Sequence, residues 1–259
     1  MVNKLSVCIA TYNEQNNIKK CLQSVSDWVD EIVIVDGRSL DKTVEVAKTF
    51  GNKVKVVLHD NPANFLDNRR QAMKLAKSEW LLILDADERV SPKLKAEILS
   101  VIKENTKAGY WLPRLNYFLN SPLRKGGQFP DYCLRLVKRK LADQPVKTLH
   151  DQVAVKAGKD MIGYLTNPLL HYPYPSFEVY LRKWIQYSSH EADLLIKQKI
   201  KPGWSMFFRY CLLYPKLWFL KTYFRHKGFQ DGFAGFVFAF FSGLRYLVIY
   251  IKLYEKTRS

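Results

Sequence analysis

Short apolar runs alternate with amphipathic stretches through the first hundred residues of the chain. Residues 4–10 (around LSVCIA), 31–35 (EIVIV), 54–58 (VKVVL) and 80–84 (WLLIL) each suit one strand. The nearly continuous apolar character of the first, second and fourth fits strands covered on both faces. Between them, Ile18, Leu22 and Val25 recur at i, i+4 and i+7. Val44, Ala47 and Phe50 share one face of a second helix over Ser39–Phe50. Asn64–Lys77 reads as a third helix, and Ser91-Pro92 opens a fourth with a hydroxyl N-cap and proline at N1. Such β-α-β-α alternation predicts an α/β architecture, a doubly wound, mostly parallel sheet with helices on both faces.

Beyond about residue 108 the pattern changes. GYWLPRLNYF (109–118), YCLRLVKR (132–139) and QVAV (152–155) read as shorter strands separated by Pro- and Gly-bearing loops. Ser176 caps a helix running toward Lys199, with Phe177, Tyr180, Leu181 and Trp184 on one face, and Pro202-Gly203 ends it. Three segments are therefore expected, at 1–108, 109–175 and 176–259.

Composition sharpens this division. A hydrophobic content of 47% excludes a disordered chain. The net charge of +17 is unevenly placed: residues 1–105 carry 16 Lys/Arg against 15 Asp/Glu, residues 106–259 carry 25 against 9. A neutral part followed by a basic, aromatic one implies that only the second part meets a polyanion, either nucleic acid or an anionic membrane surface. The four cysteines show no metal-finger spacing and suit free thiols in a reducing compartment. LSVCIA flows into TYNE without a cleavage-like site, so no signal peptide is expected.

The last sixty residues favour the membrane. Lys201–Ser259 holds ten Lys/Arg and, as acids, Asp231 and Glu255 alone. Phe233–Leu244 is nearly continuous apolar sequence, Arg245 interrupts, and YLVIYI follows. A spanning helix needs about 20 apolar residues and would bury that arginine at a cost. An in-plane amphipathic anchor on an anionic leaflet is the expectation, with a true span or a hairpin packed on its own domain as alternatives.

The chemistry concentrates at WLLILDADER (80–89). Asp85 and Asp87 fall just past an apolar strand, at the sheet edge where open α/β sheets bind ligands. Two carboxylates spaced i and i+2 can reach one divalent cation, and hard oxygen donors suit Mg²⁺ or Mn²⁺, which in turn hold phosphates.

Four features in order, TYNE, VDGRSLDKT, an Arg-bearing helix and DADE, resemble the family 2 glycosyltransferases, nucleotide-sugar-dependent enzymes with a GT-A fold. The overlap covers roughly residues 3–155. The stretches NYFL, PDYCLRLVKR, LLHYPY and TYFRHKGFQDGFAGF are similar to the lipopolysaccharide-core β-glucosyltransferase (WaaE-like) branch. The resemblance implies that Thr11, Tyr12, Asn13 and Glu14 surround the nucleotide base and ribose, and that Asp36 accepts the uracil N–H. It places Arg69 against the diphosphate, with Arg70 where the family usually has Asn. Asp87 would be the main metal ligand, with Asp85 toward the ribose or the metal's waters and Glu88 behind them. The general base falls on Asp151, with Asp131 as second candidate. His150 replaces the usual glutamate and would ligate metal, touch phosphate or share the base role.

These features imply an inverting transferase that moves a sugar, glucose by resemblance, from a UDP-sugar to a membrane glycolipid or lipopolysaccharide-core acceptor. It would work at the cytoplasmic face of the inner membrane. A polyprenyl-phosphate or other cell-envelope polysaccharide transferase is the nearest alternative. A D-x-D phosphoryl-transfer enzyme fits less well, because position 89 is Arg and its D-x-D would follow the first strand. A non-enzymatic nucleic-acid binder leaves the aspartates at the strand ends unexplained, so no nucleic-acid partner is expected.

Overall fold

The computed structural model describes residues 4–60, 64–147 and 151–258. The elements run β1 (Leu5–Thr11), α1 (Gln15–Gln23), β2 (Glu31–Asp36), α2 (Thr43–Lys48), β3 (Val54–Leu58), α3 (Leu66–Leu75) and β4 (Trp80–Asp85). Then follow β5 (Glu88–Val90), α4 (Pro92–Glu104), β6 (Gly109–Phe118), β7 (Ser121–Pro122), β8 (Asp131–Lys138), β9 (Ala142–Asp143), β10 (Ala154–Val155), β11 (Ile162–Tyr164) and β12 (Leu169–His171). The remainder is helical: α5 (Phe177–Lys197), α6 (Trp204–Phe207), α7 (Tyr214–Leu220) and α8 (Gly232–Arg258). The chain forms two compact units, residues 1–114 with 131–171, and residues 115–130 with 172–259. This differs from the expected division at 108 and 175. β6 and β8 are central strands of the sheet rather than parts of a separate segment, and the loop after β6 belongs to the helical unit.

In the first unit the strand order is β3-β2-β1-β4-β8-β6-β12-β5. The first four strands are parallel, and β8 and β6 continue the sheet antiparallel, giving an α/β, GT-A-like fold. The alternation of side chains along the strands explains why helices are needed on both faces. Val7, Ile9, Ile32, Ile34, Leu82 and Leu84 pack with Ile18 and Leu22 of α1 and with Leu94 and Ile98 of α4. Their neighbours Cys8, Val33, Val35, Leu81 and Ile83 pack with Ala72 and Met73 of α3. The register then decides the chemistry: Thr11 lies beside Asp36, and Ala10 beside Asp85, so three polar strand ends meet at one edge.

Several boundaries shift from expectation for local reasons. α2 begins at Thr43 rather than Ser39, because the Ser39, Leu40 and Lys42 N–H groups donate to the side chains of Asp36, Asn13 and Gln15. Ser91 caps α4 as expected, its Oγ accepting from the Leu94 N–H at 3.2 Å.

In the second unit the end of β6 folds back on β7, and Phe118 is enclosed by Tyr174, Tyr180 and Phe238. Two π-helical turns, Phe208–Leu213 and Lys221–Arg225, flank α7. α8 returns antiparallel and packs closely: a Cβ on Gly243 would sit 2.4 Å from the Pro215 carbonyl oxygen. Polar straps tie α8 to α5, with Arg245 3.3 Å from Glu191 and Lys252 donating to the Ile185 carbonyl at 2.7 Å. The segment Gly228–Arg258 is nonetheless long and apolar enough to cross a membrane, with a mean hydropathy of 1.7 over its most apolar 18 residues. Its unpacked side is rich in apolar rings, including Phe233 at 74% exposure, and Trp204 of α6 is 88% exposed.

A Gly243→Leu substitution forces side-chain atoms into the Pro215 backbone, and overpacking of this kind costs about 1–3 kcal/mol. The thermal midpoint of the variant should fall accordingly. An unchanged midpoint would contradict the tight α7–α8 contact.

Candidate active site

The first two loops at the sheet edge are laced together. Asn13 takes a left-handed backbone (φ 56°), donates its N–H to Ser39 Oγ at 2.8 Å and accepts from the Leu40 N–H at 2.8 Å. The Glu14 N–H donates to Thr43 Oγ1 at 2.7 Å, and the Gln15 N–H to Asp41 at 3.1 Å. Beneath them Asp36 is fully buried, accepting from Thr11 Oγ1 at 2.8 Å, the Ser39 N–H at 2.7 Å and Ser39 Oγ at 2.6 Å. A buried carboxylate is affordable only with such donors. Among the described residues these three donors hold it at the strand end. Tyr12 is exposed, and Glu14 Oε2 accepts from Asn17 at 2.9 Å. Thr11, Asn13 and Asp36 thus share one rigid edge, a grouping to which Ser39, Asp41 and Thr43 contribute as much as the expected residues.

Beside it runs a series of alternating charges. Asp85 Oδ1 lies 2.5 Å from Arg69, and its other oxygen is held by Arg135. Arg135 also meets Glu88 at 3.1 Å, Arg114 approaches Glu88 at 3.6 Å, and Arg114 binds Asp131 at 2.7 Å. Glu88 is fully buried and closes the turn by accepting the Asp85 N–H at 2.9 Å. Arg89 fixes the same turn, donating to the Ala86 and Glu88 carbonyls at 2.7 Å each. Burial alone would raise the Asp85 carboxyl, but the guanidiniums of Arg135 and Arg69 outweigh it and hold the group well below the usual carboxylate range. Burial would likewise weaken Arg135, and Asp85 and Glu88 instead lift it well above an ordinary arginine.

Asp87 stands apart from this series. Its Oδ2 lies 3.4 Å from Nε2 of His171, both side chains being mostly buried. Register explains the meeting: β12 pairs antiparallel with β5, His171 opposite Glu88. An oxygen and an imidazole nitrogen about 3 Å apart can occupy neighbouring positions around a small cation with bonds of about 2.1 Å. Among the described residues no three His, Cys, Asp or Glu side chains gather into a complete metal cage. Mg²⁺ and Mn²⁺ favour carboxylate oxygens, and a site with one or two carboxylates fills the rest with water and substrate phosphates; Asp87 supplies one such carboxylate. The donor set therefore fits a substrate-completed site. Asp85, expected as a ligand, points both oxygens at arginines instead.

The remaining expectations resolve unevenly. Arg69 faces the acidic turn, whereas Arg70 pairs with Asp67 of its own helix at 2.6 Å. Asp131 is engaged by both Nε and Nη2 of Arg114. Asp151 accepts the Lys147 N–H at 2.5 Å, and His150 lies outside the described residues. Arg135, Arg114 and His171 were not singled out from sequence. A charged residue inside the otherwise apolar run CLRLV was the available signal for Arg135, because lone charges are almost never fully buried without a partner.

Removing Arg135 strands two carboxylates, and breaking a buried pair this way costs about 3–5 kcal/mol. Arg135→Met should lose that much in urea unfolding at neutral pH. The contribution of Asp85, whose folded value is depressed, is complete above the ordinary carboxylate range of about 4 and fades as pH falls toward the folded value. The gap between parent and variant should therefore narrow below about pH 4. A gap independent of pH would contradict the pairing.

With this geometry, likeness to known proteins becomes informative. Residues 6–187 match Glycosyl transferase family 2. An uncharacterized glycosyltransferase of Rickettsia typhi is 32% identical over 94% of this chain and 86% of its own length. One from Rickettsia prowazekii is also 32% identical, over 94% and 86%. Among solved structures, S. aureus TarS 1–349 in complex with UDP-GlcNAc matches with a TM-score of 0.52 at 16% identity, over 98% of this chain and 89% of that one. Glucosyl-3-phosphoglycerate synthase of Mycobacterium tuberculosis matches with a TM-score of 0.50 at 14% identity, over 74% and 79%. At such identities the structures speak for the fold alone, while the family match and the Rickettsia relatives speak for kinship. The chain belongs to glycosyl transferase family 2.

Proposed function

We propose that the protein is an inverting glycosyltransferase that uses a UDP-sugar and Mg²⁺ or Mn²⁺ to glycosylate a membrane glycolipid. The observation that carries this reading is the Asp87–His171 pair at the carboxyl edge of the parallel strands, set beside a buried arginine series. The fold likeness to TarS solved with UDP-GlcNAc and with UDP supports the choice of donor.

In this reading the Thr11–Glu14 loop and Asp36 hold the base and ribose, and Arg69 supplies positive potential toward the diphosphate. Asp87 and His171 would hold the cation, which when bound neutralises charge developing on the leaving diphosphate. Asp151 takes the proton from the acceptor hydroxyl. That oxygen attacks the anomeric carbon as the bond to the diphosphate breaks, its electrons leaving with UDP. Asp131 is the second candidate for the base. Glucose transfer to a lipopolysaccharide-core acceptor is the narrower form of the proposal and rests on the resemblance carried by NYFL, PDYCLRLVKR, LLHYPY and TYFRHKGFQDGFAGF.

The helical unit would seat the enzyme on the cytoplasmic face of the inner membrane. α8 is strapped to α5 by Arg245–Glu191 and Lys256–Asp193 while leaving apolar rings outside. This favours an in-plane hairpin over an isolated span, with basic residues adding about 1 kcal/mol each on an anionic leaflet.

A screen of nucleotide sugars for hydrolysis by the purified protein, with and without Mn²⁺, tests the donor and metal. Turnover is expected with a UDP-sugar and Mn²⁺ alone, and Asp87→Asn or His171→Ala should reduce it about 100-fold or more, since even outer partners of a ligand are worth 10–100-fold. Metal-independent turnover, or unimpaired variants, would contradict the assignment. Asp151→Asn should retain donor binding and lose about 10²–10⁴-fold in transfer. If Asp131→Asn shows that loss instead, the base is Asp131. Flotation with liposomes should rise with anionic lipid and fall with salt, whereas salt-independent retention would indicate a span.

A further inference from the structure

The helical unit contains a cavity of about 330 Å³ that no step above uses. Lys221 and Arg245 supply its charge, His226 an imidazole, Trp218 and Phe238 its apolar walls, and the lining includes no carboxylate-bearing residue. Lys221 Nζ sits 4.4 Å above the Trp218 ring. Arg245 uses Nη1 on Glu191 at 3.3 Å, and its Nε is buried with no hydrogen-bond partner among the described residues. Lys221 and Thr222 belong to a π-helical turn, a local irregularity that often marks functional sites. The Gly126–Gly127 loop closes the cavity with positive φ at both residues (64° and 74°), the Gly126 N–H donating to the His226 carbonyl at 2.9 Å. A Cβ on Gly127 would lie 3.6 Å from the His226 ring, so the loop and the imidazole are in ordinary van der Waals reach.

Lys221, the Nε–H that Arg245 keeps besides its Glu191 contact, and an imidazole, with no acid in the lining, call for an anion, and a phosphate monoester offers the matching charge and acceptor oxygens. The same helical segments carry Leu217, Leu220, Phe224, Phe236 and Phe240 at 40–55% exposure. A ligand that brings a phosphate and covers apolar side chains at once is a lipid. We propose that this cavity binds the phosphate-bearing headgroup of a membrane lipid, and that it is the helical unit's subsite for a phosphorylated glycolipid acceptor. The inference rests on the membrane reading above and adds the chemical class of lipid.

Lys221→Gln and His226→Gln alter exposed side chains and leave the fold intact. Full-length protein is compared on neutral phosphatidylcholine vesicles and on vesicles carrying phosphatidic acid or phosphatidylglycerol at matched surface charge. The parent should favour phosphatidic acid by about tenfold, as a charge-assisted contact allows, and each variant should lose most of that preference. Binding to neutral vesicles and to UDP should match the parent. Absence of the preference in the parent, or its persistence in both variants, would overturn the proposal. Short-chain soluble phosphatidic acid gives a second readout through Trp218 fluorescence, with Trp218→Phe as the blank. It keeps the pocket testable even if vesicle binding fails, which would count against the membrane reading alone. An equal fluorescence response to inorganic phosphate would mean a free-phosphate site and overturn the lipid assignment.

Discussion

Arg135 sits where the sheet's apolar interior meets its reactive edge, and the site is built outward from it. Its guanidinium touches Asp85 and Glu88, and through them the alternation extends to Arg69 on one side and to Arg114 and Asp131 on the other. Three acids and three bases cancel, so the charges tolerate burial that none could bear alone. The arrangement holds Asp85 ionised but occupied, and it leaves Asp87, on the far side of the turn, to meet His171. The resemblance already sets the two aspartates of the D-x-D apart, and in three dimensions they have different partners, arginines for Asp85 and His171 for Asp87. One aspartate belongs to the scaffold, and the other faces the proposed cation.

The scaffold was largely legible because it depends on local periodicity. The runs around LSVCIA, EIVIV and WLLIL became β1, β2 and β4, and their odd and even positions sorted onto opposite helical layers. What periodicity cannot supply is pairing between distant strands. His171 reaches Asp87 only because β12 lies antiparallel to β5, and Arg135 reaches Asp85 only because β8 lies beside β4. The short span of α2 shows the same limit at close range. Ser39, Asp41 and Thr43 look like a polar helix start, yet their side chains brace the Asn13 loop.

The helical unit combines two tendencies that sequence presented as rivals. α8 is packed along one side, through Gly243 against Pro215 and through Arg245 and Lys252 against α5. It also retains exposed aromatic rings that water disfavours. A self-packed hairpin and a membrane surface are compatible when different faces of one helix serve each. The interrupting Arg245, costly in a bare span, meets Glu191 of α5 at 3.3 Å, so its charge is paired within the helical unit.

The proposed cation site pairs Asp87 with His171, while Asp85 is held by Arg69 and Arg135. Pulsed electron paramagnetic resonance of Mn²⁺ bound in the presence of UDP addresses this directly, because an imidazole ligand imprints nitrogen coupling on the metal. Nitrogen coupling is expected in the parent, should vanish in His171→Ala and should persist in Asp85→Asn protein that remains folded. Mn²⁺ bound with UDP but showing no nitrogen coupling in the parent would contradict that site.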